Sequence, residues 1–123
     1  MIQTQTWLKT RDNSGARAVE CIKTLGGFNR NVSYPGDIII VSIKKLRLLR
    51  KVKIGQIHLG LMTRTRKSIN FLDGTTSRCE NNVVLLRNRK KRILGTRFFG
   101  WVSRRLRRKK FLRILLLSGR HIL

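Results

Sequence analysis

Apolar and polar positions alternate in short stretches through the first two-thirds of this chain. Alternation or brief apolar runs occupy Ala18–Leu25, Asp37–Lys44, Ile54–Thr65 and Asn82–Leu86. Each predicts a strand, because successive side chains of extended backbone point to opposite faces. Turn residues bound them, at Gly26-Gly27, Pro35-Gly36, Gly55 and Asp73-Gly74. Ser68–Leu72 and Thr75–Cys79 flank Asp73-Gly74 as the arms of a predicted hairpin, since glycine accepts the positive φ of a tight turn. Short strands punctuated in this way suggest a small β-barrel, whose closure removes the open edges along which strands aggregate.

The pattern changes near the C-terminus. Ser103 is a candidate N-cap for a short helix over Arg104–Lys109, although Leu106 stands where a capping-box acid would be. An apolar run, Phe111–Leu117, follows and is interrupted by Arg113. The expected architecture is therefore mainly β and a single domain over residues 1–123. Its barrel takes about residues 1–100, and a basic C-terminal region of loops and one or two short helices takes about 101–123. Phe98 and Phe99, inside Gly95–Gly100, are read as core side chains rather than as platforms for nucleic-acid bases.

Charge gives this scaffold its partner. The chain has 29 Lys and Arg against 5 Asp and Glu, a formal net charge of +24 in 123 residues. Residues 1–40 hold five basic and three acidic side chains, net +2, so residues 41–123 hold the remaining 24 and two, net +22. A free domain so charged repels itself and collects polyanions. Nucleic acid fits better than an anionic membrane, because a polymer with about one charge per 1.7 Å takes up many cations and releases its counterions. Two basic segments fall where loops are expected, Lys44–Lys53 and Arg87–Arg92, and Arg104–Lys110 crowds like charges that phosphate would relieve.

Other classes find little support. Apolar runs such as Ile38–Val41 and Ile114–Leu117 are four residues long, against the roughly 20 of a membrane-spanning helix. Met1 to Trp7 carry neither a secretory signal pattern nor an Arg-rich presequence, so the protein is made where it works or a leader is absent from this sequence. Cys21 and Cys79 lie far apart with no ligand-like spacing and are read as ordinary reduced thiols. His58 and His121 are isolated and the acids form no evident pair, so no catalytic site, metal site or small-molecule substrate is expected. The alternative reading is a general nucleic-acid-binding module, or a membrane-surface module built on Trp101–Leu117.

Asp12-Asn13-Ser14-Gly15-Ala16-Arg17 has the composition of a compact turn carrying one Arg outward. With Cys21-Ile22-Lys23 and Leu25-Gly26-Gly27, it resembles the opening of the universal large-subunit ribosomal protein 14 family. Gly36-Asp37-Ile38-Ile39, Thr63-Arg64-Thr65, Asp73-Gly74, Glu80-Asn81-Asn82, Gly95–Gly100 and Arg104-Arg105-Leu106-Arg107 follow in the family's order, so the resemblance spans essentially the whole chain. It implies a closed five-stranded barrel and a structural place on the large subunit near the subunit interface. The implied partners are large-subunit rRNA, neighbouring large-subunit ribosomal proteins, small-subunit rRNA across an intersubunit bridge, and a silencing factor that blocks subunit joining. The implied face for that factor is Thr96, Arg97 and Arg113. No cofactor is expected, magnesium entering only as an rRNA counterion.

The cations assigned to rRNA are Arg17, then Lys44, Lys45, Arg47, Arg50, Lys51 and Lys53, then Arg64, Arg66 and Lys67. The remainder are Arg89, Lys90, Lys91, Arg92 and Arg97, with Arg104, Arg105, Arg107, Arg108, Lys109 and Lys110. Arg17, Arg64, Arg97, Arg107 and Lys109 resemble the family pattern, whereas Lys44–Lys53, Arg87–Arg92, Arg105 and Arg108 add charge to it. Trp101 stands where a Pro is common and Cys79 where an aromatic is. This drift towards cations resembles an organelle-encoded protein, and a mitochondrial ribosome is the expected location, with a plastid or the bacterial cytoplasm as alternatives.

Overall fold

Ile39, Val41 and Ile43 are buried while Ile38, Ile40 and Ser42 between them are partly open, the two-residue period of a sheet with one dry face. The computed structural model describes residues 1–47, 51–90, 92–109 and 111–118. Its elements are β1 (Trp7–Thr10), β2 (Ala16–Thr24), β3 (Ile38–Leu46), β4 (Ile57–Arg64), β5 (Ile69–Asn70), β6 (Thr76–Ser77), β7 (Val83–Arg87), α1 (Arg105–Arg108) and α2 (Leu112–Ser118). Five strands close into a barrel in the order β1-β2-β3-β4-β7, and β5 and β6 form a separate two-stranded ribbon. Neighbouring barrel strands pair antiparallel except at the seam, where β1 meets β7 in parallel through Lys9↔Val83 and Thr10↔Val84.

The seam is pinned by a buried acid. Asp12 Oδ1 accepts the Ser14 hydroxyl at 2.6 Å, and Oδ2 accepts the Leu86 amide at 3.3 Å, so the turn after β1 is tied to β7. A side chain that satisfies itself against backbone in this way stays dry without a cation.

Two apolar clusters share the barrel wall. Leu8, Val19, Ile39, Val41, Ile43, Met62, Val84 and Leu86 fill the interior. Leu61, Val83 and Leu85, of opposite parity on β4 and β7, pack outward against Phe98, Val102, Leu106, Ile114 and Leu115. Strand β7 is thus covered on both faces, which explains its unbroken apolar run Val83–Leu86. Gly60 lies where β4 crosses the crowded interior: a Cβ there would stand 2.6 Å from Val84 Cγ2 and 3.2 Å from Val41 Cγ1.

The predicted mainly β fold, its closed five-stranded barrel and the short C-terminal helices are what the chain forms. Several details differ. The four predicted strands begin or end one to three residues from the observed ones, and β1 was not foreseen. The hairpin around Asp73-Gly74 is present but pairs over two residues per arm. Lys44 and Lys45 belong to β3, and Arg87 is a buried residue of β7, so both expected basic loops start inside strands. Helix α1 begins after Arg104, not after Ser103, whose amide is committed to the Thr63 carbonyl at 3.0 Å and whose hydroxyl reaches the Arg105 amide only at 3.5 Å. Phe98 is buried as expected, but Phe99 is half exposed, because the extended backbone turns alternate side chains outward.

Candidate nucleic-acid interface

Four groups of cations stand on the barrel, each positioned by a different element. The first gathers where β2 and β3 begin and end. Arg17 is exposed between the pairs Ala16↔Leu46 and Ala18↔Lys45, and the amides of Arg47 and Lys51 donate to the carbonyls of Gly15 at 2.8 Å and Ser14 at 3.1 Å. The predicted Asp12–Arg17 turn is therefore the brace against which the first basic segment rests. Lys44 is paired with Glu20 at 2.9 Å, and Lys45 Nζ stands 5.9 Å from the centroid of the Trp7 ring. Arg47, Lys51 and Lys53 are exposed.

Arg66 and Lys67 form the second group, exposed at the rim of a depression of about 500 Å³ shared with Arg78 and Asn82. The Arg66 amide donates to Asn82 Oδ1 at 2.7 Å. Arg64, two residues earlier, differs: burial lowers its pKa, nearby Cys79 and Glu80 raise it and Arg11 lowers it. Its guanidinium reaches under Gly100 to donate to the Trp101 carbonyl at 3.5 Å, and its Nε is buried without a hydrogen-bond partner.

In the third group, Arg89 and Lys90 are exposed at the turn after β7, closed by the Asn88 amide donating to the Arg92 carbonyl at 2.8 Å. Arg92 then lines a groove of about 670 Å³ together with Arg87, Thr96, Phe111 and Arg113. Arg87 lies 5.6 Å from the Phe111 ring, and burial lowers its pKa. Of the three residues assigned to one face, Thr96 and Arg113 share this groove, and Arg97 is exposed beside it in sequence. Asn13 holds the segment: its Oδ1 accepts the amides of Thr96 at 2.7 Å and Arg97 at 3.2 Å, and its Nδ2 donates to Thr96 Oγ1 at 2.7 Å. Gly95 makes the approach feasible, since a Cβ there would lie 2.8 Å from Asn13 Oδ1.

Helix α1 supplies the fourth group. Arg104, Arg105, Arg107 and Lys109 line one side of a groove of about 930 Å³, and the β5–β6 ribbon, from Ile69 to Asp73, lines the other. These cations are not equivalent. Arg107 is exposed, Arg104 stands 3.8 Å from the Asp73 carboxylate, and the Arg105 guanidinium lies 5.2 Å from the Tyr34 ring. Lys109 bonds the buried Asp37 carboxylate, which Arg30 also engages, and so serves to fasten the C-terminal segment to the barrel. Arg50, Lys91, Lys110 and the side chain of Arg108 lie outside the described residues.

Asp12, Glu20 and Asp37 are thereby engaged with neighbours in the fold while most of the cations described above face outward. Among the described residues, no group of three or more His, Cys, Asp or Glu could hold a metal ion, and no helix is long and apolar enough to cross a membrane. The Asn13 brace, the Trp7 and Tyr34 rings beside cations, and the exposure of Phe99 and Trp101 leave no mark in the local sequence pattern. The Asn13 contact joins positions more than eighty residues apart, which no local pattern announces.

A closed barrel most of whose few acids are engaged at home and whose cations ring its loop ends is a structural protein made for a polyanion. The sequence matches the family Ribosomal protein L14p/L23e over residues 1–122, and the chain belongs to that family. It is accordingly a non-enzymatic component of the large ribosomal subunit, with rRNA and ribosomal proteins as its partners.

Proposed function

We propose that this protein sits near the subunit interface of a mitochondrial large subunit, neutralising rRNA phosphates so that RNA segments approach one another, and contributes to a bridge with small-subunit rRNA. Exposed Arg17, Arg47, Lys51, Lys53, Arg66, Lys67, Arg89, Lys90, Arg92 and Arg107 make the phosphate contacts. The observation that carries this reading is the segregation of charge: the carboxylates of Asp12 and Asp37 are engaged inside the fold, that of Glu20 is paired with Lys44, and exposed cations occupy separate loop ends. Arg supplies forked contacts to phosphate oxygens, Lys supplies mobile point charge, and recognition is of RNA shape and backbone rather than of sequence. Magnesium acts only as a counterion of the rRNA. The Thr96–Arg113 groove, with Arg97, is the face open to a factor that blocks subunit joining. The mitochondrial assignment is supported by the cations added at Lys44–Lys53 and Arg87–Arg92.

Sedimentation of an extract from the source cells tests the assignment. The protein is expected to travel with mitochondrial large subunits with or without magnesium, and with monosomes only when magnesium is present. Reversing charge at Arg104, Arg105, Arg107 and Arg108 together is expected to lower incorporation into large subunits severalfold. Unchanged incorporation would remove α1 from the rRNA contact, and recovery of the native protein as a free species at physiological salt would remove the ribosomal role.

A further inference from the structure

Phe99 and Trp101 flank Gly100, and about half of each side chain is open to solvent, 50% and 47%. Their backbone is firmly held. Phe98 and Val102, on either side, are buried in the outer apolar cluster, and the Phe99 amide donates to the Arg11 carbonyl at 2.8 Å. Gly100 has φ of +103°, and the Arg64 guanidinium fills the space a side chain would need, with Nη1 2.9 Å from the Cβ position. The two half-exposed rings therefore belong to a firmly held segment, with the Arg64 guanidinium against the glycine between them.

The surroundings are cationic. Arg64 lies under the segment, Arg11 is exposed at the strand end to which Phe99 is bonded, and Arg97 is exposed two residues before Phe99. Glu80 is near Arg64 as a countercharge. A partly dehydrated guanidinium gains more from a phosphate oxygen than a fully hydrated one does. Exposed rings among arginines suit the π-face of a base and its phosphates together, whereas an apolar pocket alone would match the rings and leave the three arginines without a partner. A duplex hides its base faces by stacking, so the ligand is an unpaired nucleotide.

We propose that Phe99 and Trp101 form a stacking platform for an unpaired rRNA nucleotide, the rings taking the base while Arg64, Arg97 and Arg11 hold the flanking phosphates. The proposal rests on the rRNA-binding reading and adds to it a site that reads base surface rather than charge alone.

The Trp7→Phe protein keeps Trp101 as its single indole, because the chain has two Trp. Titrated at fixed salt with a labelled single-stranded oligoadenylate, it is expected to bind with quenching of Trp101 emission. Inorganic polyphosphate of equal charge is expected to bind without quenching. Phe99→Ala and Trp101→Ala should each weaken oligoadenylate binding about five- to hundredfold, while polyphosphate binding stays within about twofold. Phe99→Leu and Trp101→Leu, which keep apolar bulk but lose the ring, should show the same selective loss with unchanged thermal unfolding. Oligoadenylate binding with unaltered emission and undiminished affinity in the variants would overturn the platform and leave the phosphate contacts standing. Absence of binding to any RNA would remove both readings. Protection of the Trp101 ring from hydroxyl-radical oxidation in intact large subunits, read by peptide mass spectrometry, that survives ribonuclease digestion would assign the rings to a protein and overturn the platform.

Discussion

Asp37 joins three parts of the molecule, and its replacement has a calculable effect. The residue is 4% exposed. Its carboxylate accepts the Tyr34 amide at 2.9 Å and binds both Arg30 and Lys109, while its backbone carbonyl accepts the Met62 amide at 3.0 Å. The Lys109 stem reaches it by crossing Gly36, where a Cβ would lie 2.8 Å from Lys109 Cδ. Removing one partner of a fully buried ion pair costs about 3–5 kcal/mol. Here the cation side chains are 29% and 35% exposed, so water recovers part of that loss. Asp37→Ala should therefore cost about 2–3 kcal/mol, and Asp37→Asn, which keeps an acceptor for Tyr34, about 1–2 kcal/mol. With a urea slope of about 1.5 kcal/mol/M, 2 kcal/mol lowers the unfolding midpoint by about 1.3 M. Lys109→Met should cost about 1 kcal/mol, since Arg30 remains, and should raise amide exchange in α1 and α2 while leaving β2 and β3 protected. If Asp37→Ala unfolds within about 0.5 kcal/mol of the parent, or Lys109→Met loosens the barrel and not the helices, the carboxylate is not the fastener described.

Gly60→Ala should destabilise by about 1–3 kcal/mol in urea unfolding, since its methyl group would enter the packed space between Val84 and Val41; a neutral result would mean that β4 shifts freely. Asn13→Ala should raise hydrogen exchange at the Thr96 and Arg97 amides by at least tenfold and leave the global unfolding free energy within about 1 kcal/mol, and unchanged protection would show another brace at that loop. Burial lowers the His58 pKa below its usual 6.5, so the folded state resists protonation and the unfolded state accepts it. The His58 contribution is complete above about pH 6.5 and lost as pH falls through the lower folded value, so His58→Gln should flatten the fall in stability that begins below about pH 6.5. Asp73, whose pKa is lowered chiefly by the Thr75 hydroxyl bond, contributes stability that is complete above its usual 3.8 and lost only as pH falls below it, so it does not interfere.

What could be read from the chain follows from how local each determinant is. Strands β2, β3 and β4 carry their own alternation and turn residues, so their positions are visible within ten residues of sequence. Strand β1 is four residues long, with Leu8 and Thr10 facing in, and is specified by its partners: the register with Val19 and the parallel seam with Val83 and Val84. The unbroken Val83–Leu86 run is equally ambiguous alone, and only the packing of Phe98, Val102 and Leu106 on its outer side explains it. The same contrast divides the interface. Arg47, Lys51, Arg66, Arg89 and Lys90 are exposed because nothing near them in sequence opposes their charge, and composition alone finds them. Lys109 reads identically in sequence, yet its acid lies 72 residues away on the barrel. Phe99 reads as core because it is apolar, yet Phe98 beside it already fills the inward position.

The division of labour between the two signs of charge explains how a chain of net +24 folds at all. Four of the five acids are placed at a junction: Asp12 at the barrel seam, Glu20 against Lys44 on neighbouring strands, Asp37 between loop, barrel and C-terminal segment, and Asp73 across from Arg104 in the tight turn. Rings do the same for further cations, Trp7 for Lys45 and Tyr34 for Arg105, without adding negative charge. A fold that commits most of its few carboxylates to junctions leaves little negative charge, with only Asp73 and Glu80 exposed, to neutralise its outer surface. That surplus disfavours the free protein through self-repulsion and favours the protein held on a polyanion, so the same economy of acids that permits folding also directs the chain to the RNA.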